Sequence, residues 1–458
     1  MGGRDATGAV CGDGAQTVKT NKPPPSRIPQ TRLGRFARLG MAAGGLAAGA
    51  AAQGLKRMAR GEAPDFRGAL LSGPNAKKLA ERLARLRGAA MKIGQLVSMQ
   101  GEDMLPAEFA QALSVLRSQA APMPPQQLHR VLGREYGSGW QRRFATFSDE
   151  PVAAASIGQV HRVTTADGRD LALKIQYPGV ARSIASDVDN VAALLRLFNL
   201  LPIELDVAGI ADEAKRQLMQ EADYLSEAGF LEHFAELVAD EPMLLVPRVH
   251  RDLTTTRIMA MDFVDAVPLD ALATMPQARR NAVGALFERL LFRELFEFRV
   301  MQTDPNFANY LYQPKSGRLV LLDFGATRHF GSEFVANYVR LSRAVIDGDR
   351  DAIAREAVHV GYVAADDSPQ RIKAAVDMCL LLCEPLRHVG RYDFGASNLP
   401  ARVRQLGFEL AFRQRLLRSP PPETMFLHRK LVGSFLLLAR LDVQIDARAL
   451  ILPFLTPP

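Results

Sequence analysis

The stretch from residue 301 to residue 330 constrains the fold of this chain more than any other. It places Asp304 and Asn309 five residues apart and, after an apolar run, continues with Asp323, Phe324 and Gly325. The apolar run is typical of a buried strand, and carboxylate and amide oxygens are ligands that magnesium accepts. Asp304 is therefore a candidate to orient or deprotonate an attacking hydroxyl or water. Asn309 and Asp323 are candidate metal ligands.

Two charged residues upstream extend this pattern. Lys174 ends the apolar strand LALK, from which a lysine can reach the phosphates of a nucleotide, and Glu227 lies on a predicted helix. Taken alone, a strand-end lysine and a solvated acidic helix face are the simpler interpretations. Taken in chain order with Asp-x-x-x-x-Asn and Asp-Phe-Gly, they match the arrangement of protein kinases. The order predicts catalytic roles for Lys174, Glu227 and Asp304, with Glu227 holding Lys174 on the phosphates.

A hairpin is predicted from Pro151 to Lys174, and its first turn lies where kinases carry a glycine-rich loop. Alanines occupy that loop here; each keeps a Cβ and disfavours positive φ, which predicts an altered grip on phosphate. The residues predicted to bind the nucleotide are Ala153, Ala154, Ala155, Ser156, Ile157, Gly158, Gln159 and Lys174, with Met261 and Phe263 at the hinge.

Predicted strands come first in the body of the chain and predicted helices follow. Strands are expected over 244–249 and 255–264, helices over 181–200 and 207–238, a short helix and loop over 128–147, and mostly helices from residue 269 onward. This layout predicts an α+β fold with two lobes, as in protein kinases. The predicted divisions are a disordered basic arm over 1–60, a helical extension over 61–150, an N-lobe over 151–265 and a C-lobe over 266–458.

On these residues the chain resembles the UbiB/ADCK family of atypical protein-kinase-like proteins, which is associated with coenzyme Q biosynthesis. Lys92-Ile93-Gly94-Gln95 is similar to the KxGQ motif of that family, and Glu221-x-Asp223 is similar to its ExD motif. The alanine-rich loop, QTDPNFAN and LDFG complete the resemblance. It implies that the extension packs over the active-site cleft, with Lys92, Gly94 and Gln95 in regulatory roles and Lys92 facing Glu221 and Asp223.

The resemblance further implies ATP (or ADP) and Mg²⁺ as cofactors, and it implies an ATPase or a kinase of small molecules or lipids that supports ubiquinone biosynthesis. A nucleotide-gated scaffold that presents quinone precursors to the biosynthetic enzymes is the alternative. A true protein kinase is disfavoured, because Gln302 and Thr303 stand where kinases have His-Arg and no Ala-Pro-Glu follows Asp-Phe-Gly.

The net positive charge of the chain comes from its N-terminal arm, residues 1–60. The net charge is +8, and residues 1–60 account for the whole excess. An isolated basic arm favours an anionic membrane surface over nucleic acid. Residues 39–55 carry no charge, and the sequence leaves open whether they touch a membrane or form an alanine- and glycine-rich linker.

G-x-x-x-G patterns within residues 39–55 are typical of contacts between membrane helices, so a homodimer through this segment is an open alternative. The expected location is the cytoplasmic face of a bacterial inner membrane. The matrix face of the mitochondrial inner membrane is the alternative.

Overall fold

The computed structural model describes residues 87–100, 122–197, 207–410, 416 and 421–455. Within these ranges two lobes meet at a cleft, as the sequence predicts. The basic arm and the uncharged segment 39–55 lie outside the described residues.

The N-lobe is built on an antiparallel sheet in the order β1-β3-β4-β6, with the short strand β2 paired to β3. Its strands are β1 (Phe144–Phe147), β2 (Ala153–Ala154), β3 (Gly158–Thr165), β4 (Asp170–Gln176) and β6 (Ile258–Asp262). The helices of this half are α1 (Arg87–Gln100), α2 (Pro125–Tyr136), α3 (Val180–Leu197), α4 (Val207–Glu221) and α5 (Tyr224–Leu237).

The register of the sheet decides which side chains face the cleft. Val160, Lys174 and Met259 lie directly opposite one another, so they share one face. Successive residues of a strand point to opposite faces, and Ile175 and Ile258 therefore lie on the other face, where they pack with Leu128 of α2. Lys174 thus lies on the cleft side of the sheet, and the far side of the sheet is closed by an apolar core.

Helix α1 belongs to the predicted extension and packs against α3 and α4. Ala89, Ala90 and Ile93 of α1 are buried in the same apolar cluster as residues of α3, α4 and the C-lobe. The small alanine side chains allow the helices to approach closely, and α1 is thereby fixed above the cleft, as the resemblance implied.

The C-lobe is mostly helical, and its short strands carry residues 301–330, which we call the catalytic stretch. The strands are β5 (Leu244–Leu245), β7 (Val267–Pro268), β8 (Val300–Gln302), β9 (Tyr310–Gln313), β10 (Arg318–Leu321), β11 (Thr327–His329), β12 (Tyr392–Asp393) and β13 (Gln444–Ile445). The helices are α6 (Gln277–Phe292), α7 (Ser332–Asp347), α8 (Arg350–His359), α9 (Pro369–Leu382), α10 (Glu384–Arg387), α11 (Leu399–Phe408), α12 (Pro422–Arg440) and α13 (Ala447–Leu455). A π-helical turn, Arg293–Glu297, follows α6 directly.

Strands β8 and β11 pair across the catalytic stretch, and β9 and β10 form a hairpin beside them. Asp304 and Asn309 lie between β8 and β9, whereas Asp323 lies between β10 and β11. The two halves of the sequence motif are therefore brought side by side. This link is direct, because the amide of Leu322 donates a hydrogen bond to the carbonyl of Asn309 at 3.0 Å.

Three predicted elements differ from the structure. The single helix expected over 207–238 is two helices, because the chain turns at Ala222 and Asp223. The strand expected over 244–249 is shorter, with β5 over two residues and an isolated bridge from Val249 to Met261. Residues 144–147, expected to be a loop, form β1 and pair with β3.

None of the helices in the described ranges is long and apolar enough to cross a membrane.

Candidate functional site

A buried lysine between two carboxylates forms the centre of the cleft. Lys174 Nζ donates to Glu227 Oε1 at 2.6 Å and to Asp323 Oδ2 at 3.5 Å. The Glu227 side chain is almost fully buried, whereas that of Asp323 is 33% exposed. Burial lowers the pKa of Lys174, but Asp323 and Glu227 outweigh burial and leave the pKa well above its ordinary value. The ammonium is therefore charged, and the structure brings together the lysine and glutamate that the sequence paired.

A helix cap sets the position of Glu227. The carboxylate of Asp223 accepts a hydrogen bond from the amide of Ser226 at 3.1 Å, which satisfies one free donor at the start of α5. Glu227 then lies one turn into the helix, and the ring of Tyr224 lies 5.1 Å from Lys174 Nζ. Asp223 itself is exposed. The prediction that Lys92 faces Asp223 as well as Glu221 is therefore wrong for Asp223, because the chain turns before α5 begins and Asp223 caps that helix.

Lys92 of α1 covers the cleft through a different pair of carboxylates. Its ammonium lies 2.7 Å from Glu221 Oε1 and 3.8 Å from Asp304 Oδ2, and its side chain is 3% exposed. Burial lowers the pKa of Lys92, but the two carboxylates of Glu221 and Asp304 raise it by more than burial lowers it. The pKa of Lys92 therefore lies above its ordinary value. Gly94 is buried on the same helix, and the side chain of Gln95 lies outside the described part of the structure.

Asp304 is held by a second cation that the sequence did not reveal. Arg429 Nη2 of α12 donates to Asp304 Oδ1 at 2.6 Å, and the Arg429 side chain is 4% exposed. Burial raises the pKa of Asp304, but Lys92 and Arg429 outweigh burial and hold the pKa below its ordinary value. The carboxylate is thus ionised and restrained at both oxygens. No spacing in the sequence points to Arg429, since it lies 125 residues from its partner.

The proposed metal ligands lie in the loops beside this carboxylate. Asn309 is buried, and its Nδ2 donates to the main-chain oxygen of Asp304 at 3.1 Å, which leaves its amide oxygen as an acceptor. Asp323 Oδ1 accepts from the amide of Gly325 at 3.0 Å, and Glu227 Oε2 is buried without a hydrogen-bond partner. The amide oxygen of Asn309 and the carboxylate oxygens of Asp323 are ligands that suit a hard divalent cation such as magnesium. The donor set therefore fits the expected cofactor.

Polar groups of the alanine-rich loop form hydrogen bonds with other groups of the protein. The amide of Ala155 donates to the carbonyl of Gly158 at 2.9 Å, and the Ser156 hydroxyl donates to Glu221 Oε2. The expectation that amides along this loop are free to cradle phosphate is therefore wrong for Ala155. A Cβ on Gly158 would overlap the carbonyl of Ile175, so the glycine serves the close approach of β3 to β4.

Two further residues of the loop point away from the cleft. Ile157 is buried beside Gly88 of α1, and Gln159 lies on the sheet face opposite Lys174. Gln159 Oε1 accepts from the amide of Met123 at 2.8 Å, which ties β3 to the segment before α2. The side chain of Gln159 therefore faces away from the cleft, because strand alternation turns it to the other face, and nucleotide binding by this part of the loop stays a prediction.

The remaining residues predicted to bind the nucleotide lie on β2 and at the hinge end of β6. Ala153 and Ala154 are exposed on β2. Met261 is buried at the hinge end of β6, in the register that faces the cleft. Phe263 follows the strand, and the guanidinium of Arg162 lies 4.1 Å from the centre of its ring. An apolar surface beside a charged cluster is the arrangement that a nucleotide base and its phosphates require.

Comparison with known proteins agrees with this geometry. Residues 115–357 match the family described as the ABC1 atypical kinase-like domain. The chain is 40% identical over 426 residues to atypical kinase COQ8B, mitochondrial, of Rattus norvegicus, covering 93% of this chain and 80% of that protein. It is 36% identical over 427 residues to atypical kinase COQ8, mitochondrial, of Saccharomyces cerevisiae, covering 93% and 85%.

Among solved structures, the chain is similar to Rv3197 of Mycobacterium tuberculosis, determined in complex with erythromycin. The TM-score is 0.60 at 27% identity, and the match covers 84% of this chain and 97% of that one.

Proposed function

Because the chain belongs to the ABC1 atypical kinase-like family and is an atypical kinase-like enzyme, we propose that it binds Mg-ATP and spends it on water, a small molecule or a lipid. The proposed role is support of ubiquinone (coenzyme Q) biosynthesis at a membrane. The family resemblance carries the quinone part of the proposal, and the chemistry of the cleft carries the nucleotide part.

The observation that carries the nucleotide proposal is the charged Lys174 held between Glu227 and Asp323. Glu227 fixes the lysine from the buried side, and the partly exposed Asp323 faces the space where phosphates would lie. Asp323 and Asn309 would hold magnesium, which would neutralise phosphate charge as phosphoryl transfer proceeds. Lys174 would orient the phosphates, and Asp304 would orient the attacking hydroxyl or water.

Helix α1, which covers Asp304, favours a small acceptor over a protein side chain. Lys92 reaches Asp304 from α1, which covers the place where a peptide would approach. Gln302 and Thr303, which replace the kinase His-Arg pair, are buried and offer no surface for docking. A water molecule or a narrow lipid headgroup needs less room than a polypeptide, so these are the acceptors we propose.

The partners and the location are proposals on the same basis. We propose anionic membrane lipids and either quinone precursors or quinone-biosynthesis enzymes as partners, with no nucleic acid, and self-association through the N-terminal segment. The word "mitochondrial" in the names of the rat and yeast relatives supports the matrix face of the mitochondrial inner membrane over the bacterial location that the composition favoured.

Phosphate release from ATP by the purified chain, with magnesium and with anionic or neutral vesicles, tests the proposal. The wild type should release phosphate, and Asp323→Asn should lose at least tenfold in rate. Asp377→Asn is the matched control, because Asp377 is also 33% exposed but pairs with Arg350 and Lys373 on the outer helices. Its rate should stay within twofold of the wild type.

The scaffold alternative makes a different prediction. A wild type that binds ATP without hydrolysing it, yet restores quinone in a deficient strain, would establish that alternative in place of catalysis. The double restraint of Asp304 by Lys92 and Arg429 is the observation that favours it. Labelled phosphate on a protein partner would contradict both.

A further inference from the structure

The two oxygens of Asp304 are held by cations from opposite ends of the chain. Arg429 of α12 contacts Oδ1, and Lys92 of α1 contacts Oδ2. The two contacts differ in closeness, since the guanidinium is 2.6 Å from its oxygen whereas the ammonium is 3.8 Å from its own. Lys92 is closer to Glu221, at 2.7 Å. Arg429 is therefore the main partner of Asp304, and Lys92 is the main partner of Glu221.

The position of Arg429 does not depend on Lys92. Arg429 Nη1 donates to Gln217 Oε1 of α4 at 2.7 Å, so the guanidinium is anchored on a second side. The next residue, Lys430, is buried, donates to Tyr310 at 3.0 Å and pairs with Glu294 at 3.3 Å. A planar guanidinium anchored at two nitrogens has little freedom to rotate. Helix α12 therefore presents Arg429 to the catalytic stretch in one orientation.

The same helix also fixes the main chain beside Asp304. Gly433 lies one turn after Arg429 and packs against Pro305, so closely that a Cβ at this position would overlap the proline ring. Lys430 Nζ reaches Gln302 Oε1, just before Asp304, at 3.3 Å. Helix α12 thus contacts the catalytic stretch on both sides of the aspartate.

We propose that Arg429 is a positioning residue, which holds Asp304 by Oδ1 so that Oδ2 faces the attacking hydroxyl or water once Lys92 withdraws. This inference rests on the proposed function. In the step it serves, the proton of the nucleophile passes to Asp304 Oδ2 and its oxygen bonds to the γ-phosphorus. The bond from that phosphorus to the bridging oxygen breaks, and its electron pair leaves on ADP. Arg429 acts in this step through its contact with Asp304.

A double-mutant cycle, measured by thermal unfolding without nucleotide, tests the contact between Arg429 and Asp304. Arg429→Gln, Asp304→Asn and the double variant are compared with the wild type by their Tm values. Because each single change leaves the other partner without its counterpart, the double variant should lose less than the sum of the two single losses. Additive losses would overturn the claim that Arg429 holds Asp304.

The kinetics of ATP hydrolysis test the positioning role. Arg429→Gln should lower kcat by about 10- to 100-fold and change the KM for ATP by less than about twofold, since misplacement of a catalytic group by about 1 Å has effects of this size. Arg429→Lys should recover part of the loss. If Arg429→Gln is too unstable to purify, Gln217→Met removes the anchor of the guanidinium and should give a smaller fall in kcat.

The split between kcat and KM, together with rescue by lysine, separates positioning from simple damage to the fold. A fall in kcat that Arg429→Lys does not partly restore would overturn the role. A wild type without any turnover would overturn the proposed function and the proton transfer together. The double-mutant cycle would still decide whether Arg429 holds the Asp304 carboxylate.

Discussion

Replacement of Gly433 by alanine should disturb the catalytic stretch without touching a charged group. Gly433 lies inside α12, where the helix packs on Pro305, the residue after Asp304. An alanine Cβ there would lie well inside van der Waals contact of the proline ring and 3.6 Å from its Cα. A proline ring has almost no conformational freedom to move aside, so the helix and the stretch must separate.

The size of the effect follows from two opposing terms. An alanine in a helix interior is more stable than a glycine by about 0.5 to 1 kcal/mol. Overpacking of a closely fitted contact costs about 1 to 3 kcal/mol. The free energy of unfolding should therefore fall by about 0 to 2.5 kcal/mol. The two segments must move apart by more than about 1 Å to restore ordinary carbon contacts, and a shift of that size at a catalytic group lowers rates about 100-fold.

Urea unfolding and ATP hydrolysis measure the two effects on the same protein. Gly433→Ala should lose stability and rate, with affinity for the nucleotide nearly unchanged. Gly133→Ala in α2 is the matched control, because its Cβ would lie 4.0 Å from the Trp140 ring, an ordinary contact. That variant should be as stable as the wild type or more so. A Gly433→Ala protein that is both stabilised and fully active would refute the reasoning.

Two other contacts give predictions of their own. Burial lowers the pKa of His428 to about 4, and this side chain is hydrogen bonded to Tyr362. Because the folded-state pKa lies below the unfolded value, its contribution to stability is complete above about pH 6.5 and is lost as the pH falls towards 4. Between pH 7.5 and pH 4.5 the wild type should therefore lose about 2 to 3 kcal/mol more than His428→Gln in urea unfolding; equal losses would contradict the assignment. Ser156→Ala removes the hydroxyl that donates to Glu221 and should cost about 1 kcal/mol in unfolding free energy and change nucleotide affinity, whereas Ser316→Ala, at an exposed turn, should change neither. A Ser156→Ala protein with unchanged nucleotide affinity would show that the loop does not depend on this bond.

Local spacing made part of the site predictable. Lys174, Glu227 and Asp323 follow from a strand end, a helix and a three-residue motif, and the structure brings them within 3.5 Å of one another through Lys174. The two-lobed fold followed from the order of strands and helices. These features are written in short stretches of sequence, where side-chain type and main-chain geometry are directly linked.

The rest depends on contacts between distant segments. Arg429 contacts Asp304 across 125 residues of chain. Nothing in the sequence around a single arginine in an amphipathic helix identifies its partner. The turn at Asp223 was missed because an acidic residue in a helical pattern can equally be a cap or a surface charge. The orientation of the Gln159 side chain could not be predicted from the motif, because it depends on the strand beginning at Gly158, where alternation turns the next side chain to the other face.

Glu221 joins the covering helix to the alanine-rich loop through one carboxylate. Its Oε1 accepts from Lys92 of α1, and its Oε2 accepts from Ser156 of the loop. Withdrawal of Lys92 removes the cation that compensates Glu221, and movement of Ser156 removes a donor, so neither segment is displaced without a cost to the other. Binding events at the two places are then linked thermodynamically. A nucleotide that draws the loop away from Glu221 must change the free energy with which Glu221 holds α1, and a ligand that lifts α1 must change nucleotide affinity by the same factor.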